Sequence, residues 1–371
     1  MISTGSNASR PPASDELEVS LFGPGYGESL AVHLGEERWM IVDSCVDGHS
    51  GEPAAVEYLR NLGVDPAEAV VIVLATHWHD DHIRGLAEVV RTCAGSRFLC
   101  PSALRTSEFL ALTQSSVLGS ERTTSGVREF RDVLKTLRAR KAAGNPNAGP
   151  GFVIENTIIY RSAHCEVTGL SPSSAALERA MAAIAGVLPQ PLRPHLRVRS
   201  PSSNEASIAL WIRGTAGVAL LGADVERQAT DDRGWGAILA LQPAAEGRSK
   251  LVKVPHHGSE SGHDERIWEE LLEGEPTALL TPWSRGARRL PTRTDRARIL
   301  SLAPDSVIVG QGAAKPEGYD RAVERTLKEV AESRCIAKGR MGHARARCSR
   351  SDSREWQVEL VRNAQRLSAA A

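Results

Sequence analysis

Residues Val70–Gly85 read VVIVLATHWHDDHIRG, an unbroken apolar run followed at once by three histidines and two aspartates. A short run of aliphatic and β-branched residues without polar alternation predicts a strand covered on both faces. Placing so many titratable side chains at the end of such a strand costs desolvation energy unless a cation offsets it. His77 and His79 alternate, so in a tight loop they can point the same way, while Asp81 and His82 turn to the other side. That pattern suits two adjacent divalent ions. One takes the first two imidazoles, the other the carboxylate and third imidazole. Imidazole with carboxylate suits Zn2+, and Mn2+ or iron as well. Four potential ligands directly after a buried strand outweigh a chance cluster on a solvated loop.

Two ions need further ligands from elsewhere, and these are expected where other strands end. GVALLGAD ends in Asp224, a carboxylate costly to bury unless paired or coordinated. LVKVPHHGS ends in His256 and His257. Taken singly, Asp224 could be a helix N-cap and the histidine pair a surface feature. Three such strand ends in one chain argue for one site.

The surrounding pattern is α/β. LEVSLFG, ESLAVHL and RWMIVDSC predict an antiparallel meander, and PAAVEYLRNLGV a helix that Gly63 stops. SIALWIRG and GVALLGAD predict a hairpin of apolar strands. Residues 101–151 change character and read as a helical insertion in a single domain spanning 17–371, with residues 1–16 a disordered tail. Six scattered cysteines with no CxxC pair read as free thiols in a reducing cytosol. No apolar run approaches the roughly 18 residues of a membrane span, so a cytoplasmic protein is expected. Lys+Arg and Asp+Glu both number 45, which excludes nucleic-acid binding through overall charge but not through a local basic groove.

The HxHxDH run at His77, His79, Asp81 and His82 resembles the signature of the metallo-β-lactamase fold superfamily. Asp43, after RWMIVD, is similar to its early structural aspartate. The resemblance implies an α/β fold, a four-layer αββα sandwich. NEASIALWI, VALLGAD and LVKVPHHGS further resemble the order N-x-x-S…GD…K-x-x-HHGS of the competence-type (ComEC-like) DNA-uptake nuclease branch. By this resemblance Asp224 bridges two metal ions and His257 closes the second site. His256 would lie beside it and touch substrate, while Asn204, Ser207 and Ser259 hold loops. The histidine ligand that much of the superfamily carries after a middle strand is missing from VTGLSPSS, as is common in that branch. His164 lies a few residues earlier. A late His-Pro of the branch would fall near RRLPTRT, where Leu290 stands.

Two bridged divalent ions would make a hydrolase, with Asp81 orienting the attacking water and His256 donating to the leaving group. A phosphodiesterase or nuclease acting on nucleic acid or a nucleotide is expected. Besides the branch resemblance, Arg128, Arg131, Lys135, Arg138 and Lys141 recur at helical spacing, and a long loop carries Arg193, Arg197 and Arg199. Guanidinium groups suit phosphate. The C-terminal KGRMGHARARCSR is basic too. Interleaved Glu129 and Asp132 leave a solvated face as the other reading of the helix. Hydrolysis of a lactone, thioester or β-lactam stays open, as does a non-catalytic metal-binding sensor or partner subunit. A protein partner could supply substrate binding to a chain of zero net charge.

Overall fold

The computed structural model describes residues 2–3, 10–23, 27–105, 125–186, 204–285, 288–310, 326, 341–350 and 355–369. The strands form as the period of their apolar residues requires. Leu17, Val19 and Leu21 point to one core, and so do Met40 and Val42, Ile72 and Leu74, Leu210 and Ile212, and Val307 and Val309. Their neighbours point the other way: Trp39, Ile41 and Val73 into a second core, and Trp211, Leu220, Val252 and Ile308 into a third. Strands apolar on both faces must be covered on both.

Among the described residues the strands form two large sheets of nine and eight strands. In the first sheet, Trp39–Val42, Val70–Leu74, Arg97–Pro101 and Pro150–Val153 run parallel. Leu17–Gly23 and Ser29–His33 extend it as the expected antiparallel meander. In the second sheet, Leu210–Gly214 and Val218–Leu221 pair as the expected hairpin. Val218–Leu221, Ser249–Lys253, Leu272–Leu280 and Val307–Val309 run parallel. The sheets share the middle core. Helices Ala54–Asn61, Leu86–Thr92 and Ser125–Ala142 cover the first sheet, and Gly234–Ala240 and Arg293–Leu302 cover the second. The order is helix, sheet, sheet, helix: the four-layer αββα sandwich.

Within residues 101–151, the helix Ser125–Ala142 lies in the connection between parallel neighbours Arg97–Pro101 and Pro150–Val153, burying Phe130, Val133 and Leu137. Its opposite face carries Arg128, Lys135, Arg138 and Lys141 in solvent. Arg131 and Lys135 both pair with Asp132. Arg140 instead turns inward, donating to the carbonyls of Ser96, Val90 and Cys93 at the end of Leu86–Thr92.

The basic C-terminal stretch differs from its sequence reading. Gly342–Cys348 is an interior strand between Leu17–Gly23 and Gln357–Arg362. Alternation sends Ala344, Ala346 and Cys348 into the inter-sheet core. Arg345 pairs with Glu359 and Arg347 with Glu18, so these charges are spent on neighbouring strands rather than offered to an anion. The loop bearing Arg193, Arg197 and Arg199 lies outside the described residues.

Candidate metal centre

Parallel strands deliver their C-terminal ends to one place. Val70–Leu74 delivers Thr76 to His82, Val218–Leu221 delivers Asp224, and Ser249–Lys253 delivers His256 and His257. Asp80–Ile83 form a single helical turn after the extended His79. That turn swings Asp81 and His82 away from His77 and His79. Asp43, Ala223, His256 and His257 all take left-handed backbone angles, with φ of 57°, 42°, 45° and 54°. Such angles cost energy for non-glycine residues and cluster where a side chain must be aimed.

Second partners aim the imidazoles. His82 Nδ1 donates to Asp43 Oδ2 at 2.7 Å. Asp43 also accepts from the Thr76 amide and hydroxyl, each at 2.7 Å. Because that hydroxyl donates to Asp43, its oxygen accepts from His77 Nδ1 at 3.0 Å. His257 Nδ1 faces the Thr281 carbonyl at 3.3 Å and hydroxyl at 3.1 Å, and a carbonyl only accepts. All three rings therefore offer an N–H from Nδ1 to these partners and turn Nε2 toward the site, the arrangement second partners impose on metal-ligating histidines.

His77 Nε2, His82 Nε2, His257 Nε2 and Asp224 Oδ1 are all buried and have no hydrogen-bond partner. They converge. Asp224 Oδ2 lies 3.7 Å from His77 Nε2 and 3.8 Å from His257 Nε2, and Asp224 Oδ1 lies 3.5 Å from His82 Nε2. Asp81 Oδ2 lies 3.2 Å from His257 Nε2 and 3.9 Å from His82 Nε2. Ligand atoms of His77, His79 and Asp224 fall within 4.8 Å of one another. The set has two lobes: His77 and His79 on one side, Asp81, His82 and His257 on the other, with Asp224 between. Buried polar atoms are normally satisfied, so orphaned lone pairs of nitrogen and oxygen aimed at one point fit a divalent cation. Two other groupings, Glu28–His82–His257 and Asp43–His77–His82, are close enough on distance alone. Glu28 already holds the Lys253 ammonium at 2.5 Å, and Asp43 already accepts from Thr76 and His82, so these carboxylates support the ligands.

The electrostatics follow. Burial holds His77 well below, and His79 below, the ordinary imidazole range. Burial would do the same to His82, but Asp224, Glu28 and Asp43 outweigh it and raise its pKa. Burial opposes ionisation of Asp224, yet the charge of His82 and His257 pulls its pKa well below the usual carboxylate range. The buried carboxylates thus draw positive charge to His82, while burial disfavours it on His77 and His79.

The other residues read from the sequence fall as follows. His256 is partly exposed beside the cluster. Its Nδ1 lies 3.0 Å from Glu226 and from Ser261 and Ser259, and its Nε2 is 3.4 Å from Asn204 Nδ2. Ser207 Oγ accepts from the Asp224 amide at 3.0 Å. His164 pairs with Glu36 at 3.0 Å near the surface, apart from the cluster. Asp80 accepts from the Gly126 amide at 2.8 Å, and Trp78 is buried in the first-sheet core. Both therefore tie the ligand run to the helix above it. Sequence reasoning missed Glu28 and Glu226, and met Lys253 only as the first residue of K-x-x-HHGS, without a role. Lys253 carried a signal, a lysine at the buried end of LVKV; Glu28 carried none, because its partners are more than fifty residues away.

Residues 22–155 match the family model described as the metallo-beta-lactamase superfamily. No curated protein matches the chain. Among solved structures, the metallo-beta-lactamase fold protein YhfI from Bacillus subtilis is 14% identical, covering 79% of this chain and 95% of its own, with a TM-score of 0.42. MIM-1 from Novosphingobium pentaromativorans is 15% identical, covering 71% and 84%, with a TM-score of 0.34. Zn2+-bound PqqB from Methylobacterium extorquens is 14% identical, covering 60% and 58%, with a TM-score of 0.32. The two mixed sheets with helices outside them are those of an α/β metallo-β-lactamase sandwich, and the family model over residues 22–155 supports that superfamily.

Proposed function

We propose that this protein is a metal-dependent hydrolase that cleaves phosphodiesters with two divalent ions, Zn2+ or Mn2+. The observation that carries the metal is the convergence of four buried, unpartnered atoms on His77, His82, His257 and Asp224. His77, His79 and Asp224 would hold one ion, and Asp81, His82, His257 and Asp224 the other. When bound, such ions lower the pKa of water and stabilise charge on the attacked centre.

The chain's own residues do the rest. Asp43 and Thr76 fix two imidazoles, and Thr281 the third. The Asp81 carboxylate is buried beside His257 Nε2, and against burial the neighbouring His257 and His82 hold its pKa below the usual carboxylate range, so it would act by accepting a hydrogen bond from an attacking water and orienting it. His256, fixed through Nδ1 by Glu226 and bordered at Nε2 by Asn204, would be the donor to a leaving oxygen. Phosphate as substrate is supported by the motif resemblance from Asn204 to Ser259, whose members form one hydrogen-bonded loop system around Asp224 and His256.

The test is metal analysis followed by assays on bis(p-nitrophenyl) phosphate, DNA, RNA, cyclic nucleotides, carboxylic esters and a β-lactam. Asp81→Ala and His257→Ala are expected to abolish turnover and reduce bound metal. Turnover of carboxylic esters or lactams alone would sink the phosphodiester reading. Bound metal with no turnover would favour a sensor.

A further inference from the structure

From Thr281 to Thr294 the chain reads TPWSRGARRLPTRT, with four arginines and no acidic residue in a protein whose net charge is zero. Trp283–Arg285 and Arg288–Leu290 form a separate two-stranded antiparallel ribbon, attached to neither large sheet. Arg288 lies opposite Arg285, and Arg289 opposite Ser284. Successive residues of a strand face opposite ways, so the ribbon carries arginine on both faces. Arg288, Arg289 and Arg293 are exposed, and none makes an ion pair with a carboxylate among the described residues. Other surface arginines divide between paired ones, such as Arg60 with Glu52, Arg161 and Arg213 with Glu166, and Arg266 with Asp231 and Asp264, and solvent-exposed ones such as Arg128 and Arg138; here three exposed arginines stand together. Three neighbouring arginines without a carboxylate repel one another, and the fold gains nothing visible from them.

Both feet of the ribbon stand on the candidate site. Before it, Thr281 holds His257 Nδ1 through its carbonyl and hydroxyl. After it, Pro291 packs on Gly258: a Cβ there would sit 3.4 Å from the Pro291 ring. Arg298, on the helix that Thr292 caps, donates to the Gly258 carbonyl at 2.8 Å and pairs with Asp295 at 2.9 Å. The ribbon is thus fixed to the loop that carries His256 and His257.

We propose that the two strands Trp283–Arg285 and Arg288–Leu290, together with Arg293, are a clamp for the phosphate backbone of a nucleic acid whose scissile phosphodiester enters the neighbouring site. It deepens the phosphodiesterase reading and rests on that reading for its substrate. A polymer fits better than a mononucleotide. Each arm of three residues spans about 10 Å, roughly three phosphate steps along one strand. Guanidinium forks suit phosphate oxygens, and the half-buried Trp283 puts an aromatic ring among them for a base to stack on.

The test uses the full chain and a fluorescein-labelled oligonucleotide of about 20 nucleotides, single-stranded and as a duplex, long enough to reach both ribbon and site. Binding is followed by anisotropy across a salt series. Arg288→Ala/Arg289→Ala/Arg293→Ala is expected to weaken binding at least about tenfold and to flatten the salt slope by roughly 2. Hydrolysis of bis(p-nitrophenyl) phosphate, too small to reach the ribbon, should stay within about twofold of wild type, a difference under 0.5 kcal/mol. If the triple variant melts early, Arg288→Glu alone at its exposed position should shift binding in the same direction. Unchanged affinity and slope in these variants, or no oligonucleotide binding by wild type, overturns the clamp even if the small diester is cleaved. Ribbon-dependent binding without cleavage of any phosphodiester keeps the clamp and overturns the phosphodiesterase.

Discussion

Glu28 and Lys253 are the least conspicuous residues of the site and among the most constrained. Glu28 comes from the first sheet and Lys253 from the second, and both are 1% exposed or less. Lys253 Nζ holds Glu28 Oε1 at 2.5 Å and the Ala223 carbonyl at 3.0 Å, next to Asp224. Glu28 also receives the Thr281 hydroxyl that faces His257. The pair is a charge-compensated strut between the sheets beneath the ligands. Removing one partner strands a buried charge, so Glu28→Gln should cost about 3–5 kcal/mol in urea unfolding, while Glu28→Met/Lys253→Met should recover most of it. Equal stability of wild type and Glu28→Gln would mean the pair does not hold the sheets. At this scale His77, His79, Asp81, His82, Asp224 and His257 were legible because each follows an apolar strand, where an unpaired polar side chain is costly. Glu28 was not, because its environment is assembled from strands distant in sequence.

Elements place these residues. The helix Ser125–Ala142 is tied to the ligand run from both sides: Asp80 accepts from Gly126, and Glu129 accepts from the amides of Gly85 and Ala87 at 3.1 Å and 3.2 Å. Glu129 thereby serves as the missing N-cap of Leu86–Thr92. Glu129→Ala should cost about 1 kcal/mol, as cap removal does, read as a lowered melting temperature. A null result would mean water replaces the cap. Gly258 has φ of 78°, and a Cβ there would meet Ile299 at 2.7 Å. Gly258→Ala should therefore cost about 1–2 kcal/mol from the left-handed backbone alone and, by displacing His257, weaken metal binding in a chelator competition. Unchanged metal affinity would show that the loop absorbs the methyl group. Gly63, with φ of 76°, stops Ala54–Asn61 where the sequence placed the stop. The hairpin before Asp224 was equally legible, because alternation and short turns are local signals. Gly342–Cys348 was misread as a basic segment because its partners, Glu18 and Glu359, become neighbours only through sheet pairing.

The molecule as a whole buries a titratable group far from the metal cluster. His343 packs against Phe22 and Tyr58, with Nε2 at 3.0 Å from Ser20 Oγ. Burial, together with Arg345, Arg362 and Arg347, lowers its pKa from 6.5 to about 3. The folded state keeps this ring neutral while the unfolded chain protonates it below 6.5. The unfolded state then binds more protons, so stability is lost as pH falls between those values, by up to about 1.4 kcal/mol per unit from this group. His343→Gln should reduce that slope in urea unfolding between pH 6 and 4; parallel slopes would remove His343 from the account. The four-layer order was legible from strands apolar on both faces. Substrate choice was not, since a fold does not select among ester, lactam and phosphodiester.

In the proposed hydrolase the converging ligand atoms of His77, His82, His257 and Asp224 would hold the metal that hydrolysis needs. The direct measurement is metal content by elemental analysis on wild type and Asp224→Ala, paired with bis(p-nitrophenyl) phosphate turnover before and after chelation. The expected result is close to two equivalents of divalent metal in wild type, a marked loss in Asp224→Ala, and activity that chelation removes and Zn2+ or Mn2+ restores. Equal metal content in the two proteins, or hydrolysis that survives complete chelation, would contradict it.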